Sequence, residues 1–510
     1  MSTVSVRRLA KNTLLLYFRM FLLMGVSLYT VRIVLAALGM VDFGLYNVVG
    51  GVVALFAFMS NSMATSSQRY FTDAIGKADE AGFADAFRTT RTLYGLLALV
   101  VLILAETAGL WFVRNRMVIP PDRAAAAFWV YQFSIASFLM TITNTPYMAA
   151  IISHENMGIY AWVSFLEAGL KLAAAYLIGT LPYDKLATYG VLMFGATAAR
   201  ALGFKIVCIV KYKNASWRYS WVPARLREML SFTGWNLFGS FASATRSQGV
   251  NILLNLFFGP AVNASRGVAF QVNSAIVQFA SNFTTALRPQ IMKSYSAGQR
   301  REMLNLVYMS SRFTYLLMLV LAVPVLLETE NLLTWWLGRA GPHMAAFTRL
   351  VVLQSLVLSL SYSLTAAAQA TGRVRAFQAW VGGFQVLNLP IAWILFRSGQ
   401  EPESAFSSGL AIEVASVALR LAVLRKTIGL PVLEYARNVL LAIAAVTALS
   451  FVAPVALWKA MAPGVPRFLA VSAAGGVSCL AAAWRLGITD GERRKIVTAV
   501  RKRLGFPSGD

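Results

Sequence analysis

The chain has 510 residues, of which 58% are hydrophobic and 13% charged, and its mean hydropathy is +0.62. Apolar runs of about 20 residues, long enough to cross a bilayer as a helix, recur from end to end and exclude a soluble globular protein. The formal net charge of +25 would suit nucleic acid as a partner. The basic residues fall mainly in short links between apolar runs, however, where membrane topology places them, so their distribution disfavours nucleic acid.

The hydropathy pattern predicts an all-α polytopic membrane protein with about 14 transmembrane helices and short loops. The first apolar run is too long for a cleaved signal peptide and has no small-residue cleavage site, so it is predicted to remain as the first span. In chain order the predicted spans are residues 13–38, 43–68, 92–113, 124–152, 159–179, 186–210, 231–257, 264–288, 307–328, 345–369, 377–396, 405–424, 438–458 and 467–486.

The distribution of Lys and Arg predicts the orientation in the membrane. If the N-terminus is cytoplasmic, 28 Lys and Arg residues fall in segments on the inner side and nine on the outer side. Basic residues concentrate in cytoplasmic loops, and an even number of spans returns the chain to its starting side. Both termini are therefore predicted to be cytoplasmic.

An internal repeat divides the predicted spans. The stretch "ALGMVDFGLYNVV" after the first span resembles "FFGPAVNASRGVAF" after the seventh, and about 220 residues separate Gly39 from Gly259. The repeat sorts the first 12 spans into two six-helix bundles of the same orientation, which is the pattern of a parallel pseudo-twofold repeat. The predicted organisation is an N-terminal bundle at 1–210, a cytoplasmic linker at 211–230, a C-terminal bundle at 231–425, two additional helices at 426–486 and a basic cytoplasmic tail at 487–510.

Motifs for catalysis are scarce. The sequence has no GxxxxGK[ST] phosphate-binding loop, and its two histidines, His154 and His343, fall in loops predicted on opposite sides of the membrane. They form neither a paired zinc site nor a Ser/His/Asp set. A membrane-bound glycan polymerase or acyltransferase would need a large outer loop or an acidic cluster, and neither is present. The sequence predicts a transporter rather than an enzyme, with no metal site and no cofactor.

Three arginines lie inside the first span of the two predicted bundles: Arg19 and Arg32 in span 1, and Arg246 near the middle of span 7. A cation at mid-bilayer costs roughly 2.5–3.5 kcal/mol on insertion scales, and such residues usually face a bundle interior or a water-filled cavity. The three arginines therefore predict a cationic cavity that selects an anion. Arg312 and Arg420 lie near predicted cytoplasmic ends, and we expect them to snorkel to the surface.

Carboxylates inside the predicted spans are few: Glu106, Glu167 and Glu413 are the ion-coupling candidates. Glu167 and Lys171 are four residues apart on one helix face, so mutual neutralisation and contact with a substrate explain this pair equally well. Glu106 lies toward the outer side, where an interfacial position also explains it. A cationic-drug exporter would need acidic groups in its cavity, so the small number of carboxylates disfavours that class.

Span 8 carries more polar side chains than a helix that faces lipid tolerates. Several recur at three- and four-residue steps and therefore share one face of the helix. Such amide and hydroxyl groups recognise sugars, and they also hold helices together by hydrogen bonds, so both interpretations stay open. The candidate substrate-binding residues on this span, with a counterpart on span 2, are Arg266, Asn273, Gln278, Asn282 and Asn61.

Three stretches carry a resemblance to a known family. They are "LGMVDFGLYNVVGGVVALFAFMSNSMATSSQRY", "NILLNLFFGPAVNASRGVAFQVNSAIVQFASNFTTALRPQIMKSYSAG" and "AAQATGRVRAF". Together with the six-plus-six layout they resemble the Wzx-type polysaccharide flippases, which export O-antigen or exopolysaccharide units. These flippases belong to the superfamily of multidrug, oligosaccharidyl-lipid and polysaccharide exporters. The resemblance covers residues 9 to 425.

The resemblance implies a MATE-like fold that alternates between inward-open and outward-open states around a central cationic cavity. It implies an undecaprenyl-pyrophosphate-linked oligosaccharide as substrate, moved from the cytoplasmic to the periplasmic leaflet of a bacterial inner membrane. Arg246 would hold the pyrophosphate. It also implies coupling to a proton or sodium gradient, and a polysaccharide polymerase or ligase that uses the product.

Other functions stay open. A lipid II flippase has the same mechanism with a different headgroup, and an ion-coupled multidrug antiporter has the same fold. A purely structural scaffold would leave the arginines in mid-span without an explanation.

Overall fold

The computed structural model describes residues 3–56, 67–68, 70–72, 74–75, 77, 79–154, 156–212, 244–338, 340–371 and 374–503. All regular structure in these ranges is helical, as the sequence predicts. The helices of nine or more residues are α1 (Thr3–Ala54), α2 (Glu80–Leu104), α3 (Ala124–Ser153), α4 (Met157–Leu177), α5 (Lys185–Lys211), α6 (244–258), α7 (Pro260–Ser296), α8 (Arg300–Leu327), α9 (Thr329–Leu337), α10 (Met344–Ala370), α11 (Val374–Val386), α12 (Asn388–Arg397), α13 (Ser404–Ile428), α14 (Ala442–Ala460), α15 (Val465–Ala482) and α16 (Asp490–Arg503).

Ten helices in the described ranges are long and apolar enough to cross a membrane. One of them, Arg19–Ala54, contains most of the first predicted span and the first half of the second, so the ten account for eleven predicted spans. The helices α4 and α7 coincide with the predicted spans 159–179 and 264–288. The remaining predicted span, 231–257, is described only from residue 244, where it is helical.

Two glycines with positive φ interrupt the helical backbone at equivalent positions of the two copies of the repeat. Gly39 interrupts α1 with φ 75° and ψ 177°, and Gly259 separates α6 from α7 with φ 79°. Side chains disfavour positive φ, so glycine is the residue that allows both breaks. The repeat seen in the sequence therefore recurs in the chain geometry, and the break at Gly39 divides the first two predicted spans.

The segments that follow these two breaks pack against each other. A Cβ atom at Gly44 would lie 1.7 Å from the carbonyl oxygen of Pro260, and a Cβ atom at Gly267 would lie 3.0 Å from Nδ2 of Asn47. The backbones of α1 and α7 approach this closely only because small residues line the contact, as at helix crossings inside membranes.

The chain divides into two compact units. The first comprises Met1–Val268 with Gln385–Ala405, and the second comprises Ala269–Phe384 with Phe406–Asp510. The bundle boundaries predicted at residues 210, 231 and 425 stay a prediction. The predicted cytoplasmic linker 211–230 lies outside the described residues from 213 onward.

In the first unit, a π-helical turn that directly follows α2 carries Glu106. The turn spans Ala105–Gly109, and the buried hydroxyl of Tyr131 on α3 donates to the carbonyl oxygen of Ala105 at 2.7 Å. A Cβ atom at Gly109 would lie 2.2 Å from that hydroxyl, so glycine makes room for the tyrosine. Turns of this kind are rare inside helices and are frequent at functional sites.

In the second unit, two ion pairs attach the C-terminal helices to α8 and the segment that follows it. Arg312 Nη2 lies 2.6 Å from Glu492 Oε1, and Arg467 Nε lies 2.6 Å from Glu328 Oε1. The backbone carbonyl of Asn438 also accepts a hydrogen bond from Arg312 at 3.0 Å. Arg312 is 5% exposed, so the expectation that it snorkels to the surface is wrong.

Candidate functional site

Two of the predicted substrate-binding arginines, Arg246 and Arg266, lie in the first unit on consecutive helices. Arg246 is partly buried near the described start of α6. The guanidinium of Arg266, which is 7% exposed, donates from Nη2 to the carbonyl oxygen of Ser247 at 2.8 Å and lies 3.4 Å from its hydroxyl. The contact holds Arg266 on α7 against the residue that directly follows Arg246. Two cationic groups therefore lie on adjoining parts of α6 and α7.

The two arginines of α1 are placed differently from each other. Arg19 stacks on Tyr160 of α4, with its guanidinium carbon 4.4 Å from the ring centroid and Nη2 3.4 Å from the hydroxyl. Stacking of this kind holds a guanidinium in place and preserves its charge. Arg32 is exposed on α1. The grouping of Arg19 and Arg32 with Arg246 in one cavity stays a prediction.

Asparagines near the second repeat motif hold helices together. Asn263 donates from Nδ2 to the carbonyl oxygen of Asn251 at 2.6 Å and to its Oδ1 at 2.9 Å, and Asn251 donates onward to the carbonyl oxygen of Asn47 at 3.3 Å. Asn255 pairs with both backbone groups of Val118, at 3.0 and 3.2 Å. All three side chains on α6 and α7 are buried. For this end of α7, interhelical hydrogen bonding explains the polar residues better than sugar recognition does.

The other candidates on the polar face of α7 belong to the second unit. Asn273 is partly buried, and its Oδ1 atom is buried without a hydrogen bond from the part of the chain that is described. Gln278 is exposed. The side chain of Asn282 lies outside the described residues, as does the whole of Asn61 on the predicted span 2.

Glu167 forms a cluster of three charged side chains with Lys171 and Arg200 in the first unit. Glu167 Oε1 lies 2.9 Å from Lys171 Nζ, and Oε2 lies 3.5 Å from Arg200 Nη1 on α5. Arg200 also donates from Nη2 to the hydroxyl of Thr141 on α3 at 3.1 Å. The spacing of Glu167 and Lys171 predicts their pairing, but Arg200 is 33 residues away, and no local pattern in the sequence signals its contact.

A cavity of about 300 Å³ opens beside this cluster. Its walls come from α1, α3, α4 and α5, and Lys171 is the charged residue among the described ones that line it. With Glu167 and Arg200 nearby, the surroundings carry an excess of one positive charge. The hydroxyl groups that line the cavity are those of Tyr46, Ser134, Ser137, Thr141 and Thr197. Its volume is at the lower end for ligand pockets, so it fits a phosphate or a single sugar ring rather than a whole lipid-linked oligosaccharide.

The remaining ion-coupling candidates have contrasting partners. Glu413 is fully buried in the second unit, and its Oε1 accepts from Arg420 Nη1 at 2.9 Å. Arg420 is 4% exposed, so the expectation that it snorkels is wrong as well. Glu106 in the first unit accepts a hydrogen bond from the Gln132 amide at 3.2 Å. Among the described side chains, none that is cationic forms an ion pair with Glu106.

Several solved structures are similar to this chain. An inward-facing multidrug resistance MATE family transporter of the MOP superfamily aligns with a TM-score of 0.68 and 13% identity, over 79% of this chain and 94% of its own. The lipid II flippase MurJ, in an inward closed conformation, aligns with a TM-score of 0.69 and 11% identity, over 93% of this chain and 98% of its own.

A third structure differs in the character of its site. It is a MOP superfamily transporter from Pyrococcus furiosus whose binding pocket has reverse polarity, and it aligns with a TM-score of 0.60 and 13% identity, over 82% of this chain and 96% of its own. No model of a protein family matches the sequence, and no curated protein matches it. At these identities the likeness shows the fold. The chain has a MATE-like fold, and it is a multi-pass membrane protein.

Proposed function

We propose that this protein is a flippase of the Wzx type. It moves an undecaprenyl-pyrophosphate-linked oligosaccharide between membrane leaflets by alternating access. The observation that carries the proposal is the contact of buried Arg266 with Ser247, which holds a second guanidinium against the residue that follows Arg246 in the chain. The likeness to MurJ over 93% of this chain supports it, because that neighbour is named as a lipid II flippase.

The chemistry of guanidinium groups favours a pyrophosphate over other cargo. Arginine stays charged when it is desolvated, and its planar fork donates two parallel hydrogen bonds to a phosphate. In this proposal Arg246 contacts the pyrophosphate, and Arg266 adds positive charge from a fixed position. Arg19 and Arg32 on α1 extend the cationic character of the first unit, and the lipid tail stays in the bilayer.

Recognition of the sugars is assigned to polar side chains. On the second part of α7 these are Asn273, Gln278 and Asn282, with Asn61 as the counterpart on the predicted span 2. Asn273 supports this assignment most directly, because its buried Oδ1 atom is an acceptor that a sugar hydroxyl would satisfy. The hydroxyl-lined cavity beside Lys171 is large enough for a single ring of the same glycan.

The setting of the activity follows from the same proposal. The membrane is a bacterial inner membrane with both termini in the cytoplasm, and the glycan is destined for O-antigen or exopolysaccharide synthesis. A polymerase or ligase then uses the translocated unit. The driving force is a proton or sodium gradient, for which Glu106, Glu167 and Glu413 are the candidates.

An ion-coupled multidrug antiporter of the same fold is the alternative from a different class of transporter. A cation exporter needs carboxylates that are available to a cationic drug. Glu167 and Glu413 are instead occupied by Lys171, Arg200 and Arg420, so the described charges favour an anionic cargo. A lipid II flippase is separated from the first proposal only by the sugar portion of the substrate.

The proposal is tested by leaflet exchange in liposomes. The purified protein is reconstituted with a fluorescent undecaprenyl-pyrophosphate oligosaccharide, and exchange is followed with and without an imposed proton or sodium gradient. We expect exchange by the wild type and its loss in Arg246→Ala. Arg397→Gln is the matched control, because Arg397 is exposed and stacks on Trp393 at 5.1 Å. An inactive wild type, or full exchange by Arg246→Ala, would refute the proposal.

A further inference from the structure

The second unit contains an open pocket whose residues have no part in the proposed translocation of substrate. Its volume is about 630 Å³, and it lies between the turn that joins α7 to α8 and the end of α13. Met303 and Ile428, both buried, are its apolar lining residues. Hydroxyl groups come from Tyr295, Ser296 and Thr427. The pocket therefore combines apolar surface with hydrogen-bonding groups.

Arg300 supplies the charge of this pocket, and a backbone contact fixes its position. Its Nη2 atom donates to the carbonyl oxygen of Gly429 at 2.7 Å. This bond uses one of the five N–H groups of the guanidinium. A Cβ atom at Gly429 would lie 2.1 Å from the same Nη2 atom, so the absence of a side chain at residue 429 makes room for Arg300.

The sequence around the pocket is strongly basic. The two segments 293–303 and 425–429 contain five basic residues and one acidic residue, Glu302. A second carboxylate, Glu434, is exposed five residues beyond Gly429. The five basic side chains are all exposed, and they are Lys293, Arg300, Arg301, Arg425 and Lys426. This excess of positive charge attracts anions to the pocket.

The pocket lies at the ends of two predicted membrane spans, and this position determines its level in the bilayer. The apolar helices Arg300–Leu327 and Ser404–Ile428 are both long enough to cross the bilayer, and each has one end at this pocket. Residues at the end of a span lie at the level of the lipid headgroups. The charge distribution of the sequence assigns this end to the cytoplasmic leaflet, where anionic lipids attract basic segments of membrane proteins.

We propose that this pocket binds the phosphate group of an anionic glycerophospholipid, with Arg300 as the contact residue. The guanidinium and the hydroxyl groups of Tyr295 and Ser296 donate to the phosphate oxygens, and Met303 and Ile428 contact the adjoining apolar part of the lipid. Inorganic phosphate presents the same oxygens without the apolar part, so it is the other source of this ligand chemistry. Occupation of the site does not depend on which substrate the protein moves.

The test measures lipid binding to the full-length protein in detergent micelles by native mass spectrometry. The protein is titrated with phosphatidylglycerol, with phosphatidylcholine as the zwitterionic comparison. We expect phosphatidylglycerol to bind more tightly than phosphatidylcholine, and Arg300→Gln to weaken its binding about fivefold, the typical contribution of one basic residue at an anionic membrane surface. Arg397→Gln should leave binding unchanged. Equal affinity of the wild type and Arg300→Gln for phosphatidylglycerol would overturn the proposal.

A competition experiment identifies the source of the phosphate. Inorganic phosphate is added to the protein loaded with phosphatidylglycerol, in the wild type and in Arg300→Gln. Retention of the lipid by the wild type assigns the site to a headgroup, and displacement at millimolar phosphate assigns it to the free anion. Both outcomes support the phosphate site, provided that Arg300→Gln lowers the affinity. Arg300→Lys, which keeps the charge and loses the planar fork, should bind with intermediate affinity.

Discussion

Glu413 and Arg420 form an ion pair two helical turns apart on α13, with Oε1 and Nη1 separated by 2.9 Å. The glutamate side chain has no exposed surface, and that of the arginine is 5% exposed. Two opposite charges buried this deeply compensate each other, because each alone would carry a large desolvation cost. The pair accounts for an arginine inside a predicted span without assigning it to a substrate.

The first prediction concerns the stability that this pair provides. Glu413→Gln leaves Arg420 buried without its carboxylate and should lower the free energy of unfolding by about 3–5 kcal/mol. The double variant Glu413→Gln with Arg420→Met removes both charges and should recover most of the loss. The measurement is equilibrium unfolding of the purified protein in mixed micelles. A double variant no more stable than Glu413→Gln would show that the pair is not the source of the effect.

The second prediction selects Glu106 as the residue that couples transport to an ion gradient. A proton or sodium ion that binds Glu413 or Glu167 must first displace an arginine or lysine. Among its described contacts, Glu106 accepts a hydrogen bond only from the neutral amide of Gln132, so no described cation has to leave before an ion binds its carboxylate. Glu106→Gln should therefore remove the stimulation of leaflet exchange by an imposed gradient and preserve exchange without a gradient.

Gln132→Ala is the control for this assignment, because it deletes the neighbouring amide and keeps the carboxylate. We expect its exchange to remain stimulated by the gradient. If Glu106→Gln retains the stimulation and Glu167→Gln loses it, the coupling site lies instead in the cluster beside the hydroxyl-lined cavity.

The third prediction separates the charge of Arg246 from its shape. Lysine keeps the positive charge but donates from a single nitrogen, so one of two parallel hydrogen bonds to a phosphate is lost. A charge-assisted hydrogen bond contributes about 1.5–3 kcal/mol, so Arg246→Lys should bind the pyrophosphate roughly 10- to 150-fold more weakly. Tracer binding to reconstituted protein measures this affinity. Equal affinities of the wild type and Arg246→Lys would exclude bidentate contact.

Local patterns in the sequence predicted the helices and the repeat, because each helix and each copy of the repeat motif is defined by residues that are close together in the chain. Apolar runs located the spans, and the glycines at 39 and 259 proved to share the same positive-φ break. Contacts between distant residues left no such signal. Arg200 on α5 pairs with Glu167 on the preceding helix α4, and Arg312 pairs with Glu492, which is 180 residues away in the sequence. An arginine near the end of a span has the same local pattern whether it snorkels or pairs.

The functions of the polar residues in the candidate site also depend on contacts with distant parts of the chain. The polar residues of span 8 looked alike in sequence, but in the structure Asn263 holds Asn251 of α6, whereas Gln278 is exposed. A side chain that joins helices and one that is available to a ligand differ in the neighbours that the fold supplies. Periodicity along a single helix therefore predicted the polar face and left its function open.

The last prediction concerns the close contact between α1 and α7. A Cβ atom at Gly44 would lie 1.7 Å from the carbonyl oxygen of Pro260, a backbone atom that no change of rotamer moves away. Gly44→Ala must therefore push the two helices apart, and overpacking of this kind typically costs about 1–3 kcal/mol. The unfolding measurement in mixed micelles should show a loss of this size.

Gly25→Ala is the matched control on the same helix. Apart from the backbone of α1 itself and the two chain neighbours, no described atom lies within 4 Å of a Cβ placed at Gly25, and alanine is favoured over glycine in a helix by roughly 0.5–1 kcal/mol. Gly25→Ala should therefore leave stability unchanged or raise it slightly, whereas Gly44→Ala lowers it. Because the clash involves the segments that follow Gly39 and Gly259, opposite signs for the two variants would establish that packing between the two repeat motifs stabilises the first unit. A tolerated Gly44→Ala would contradict the close approach of α1 and α7.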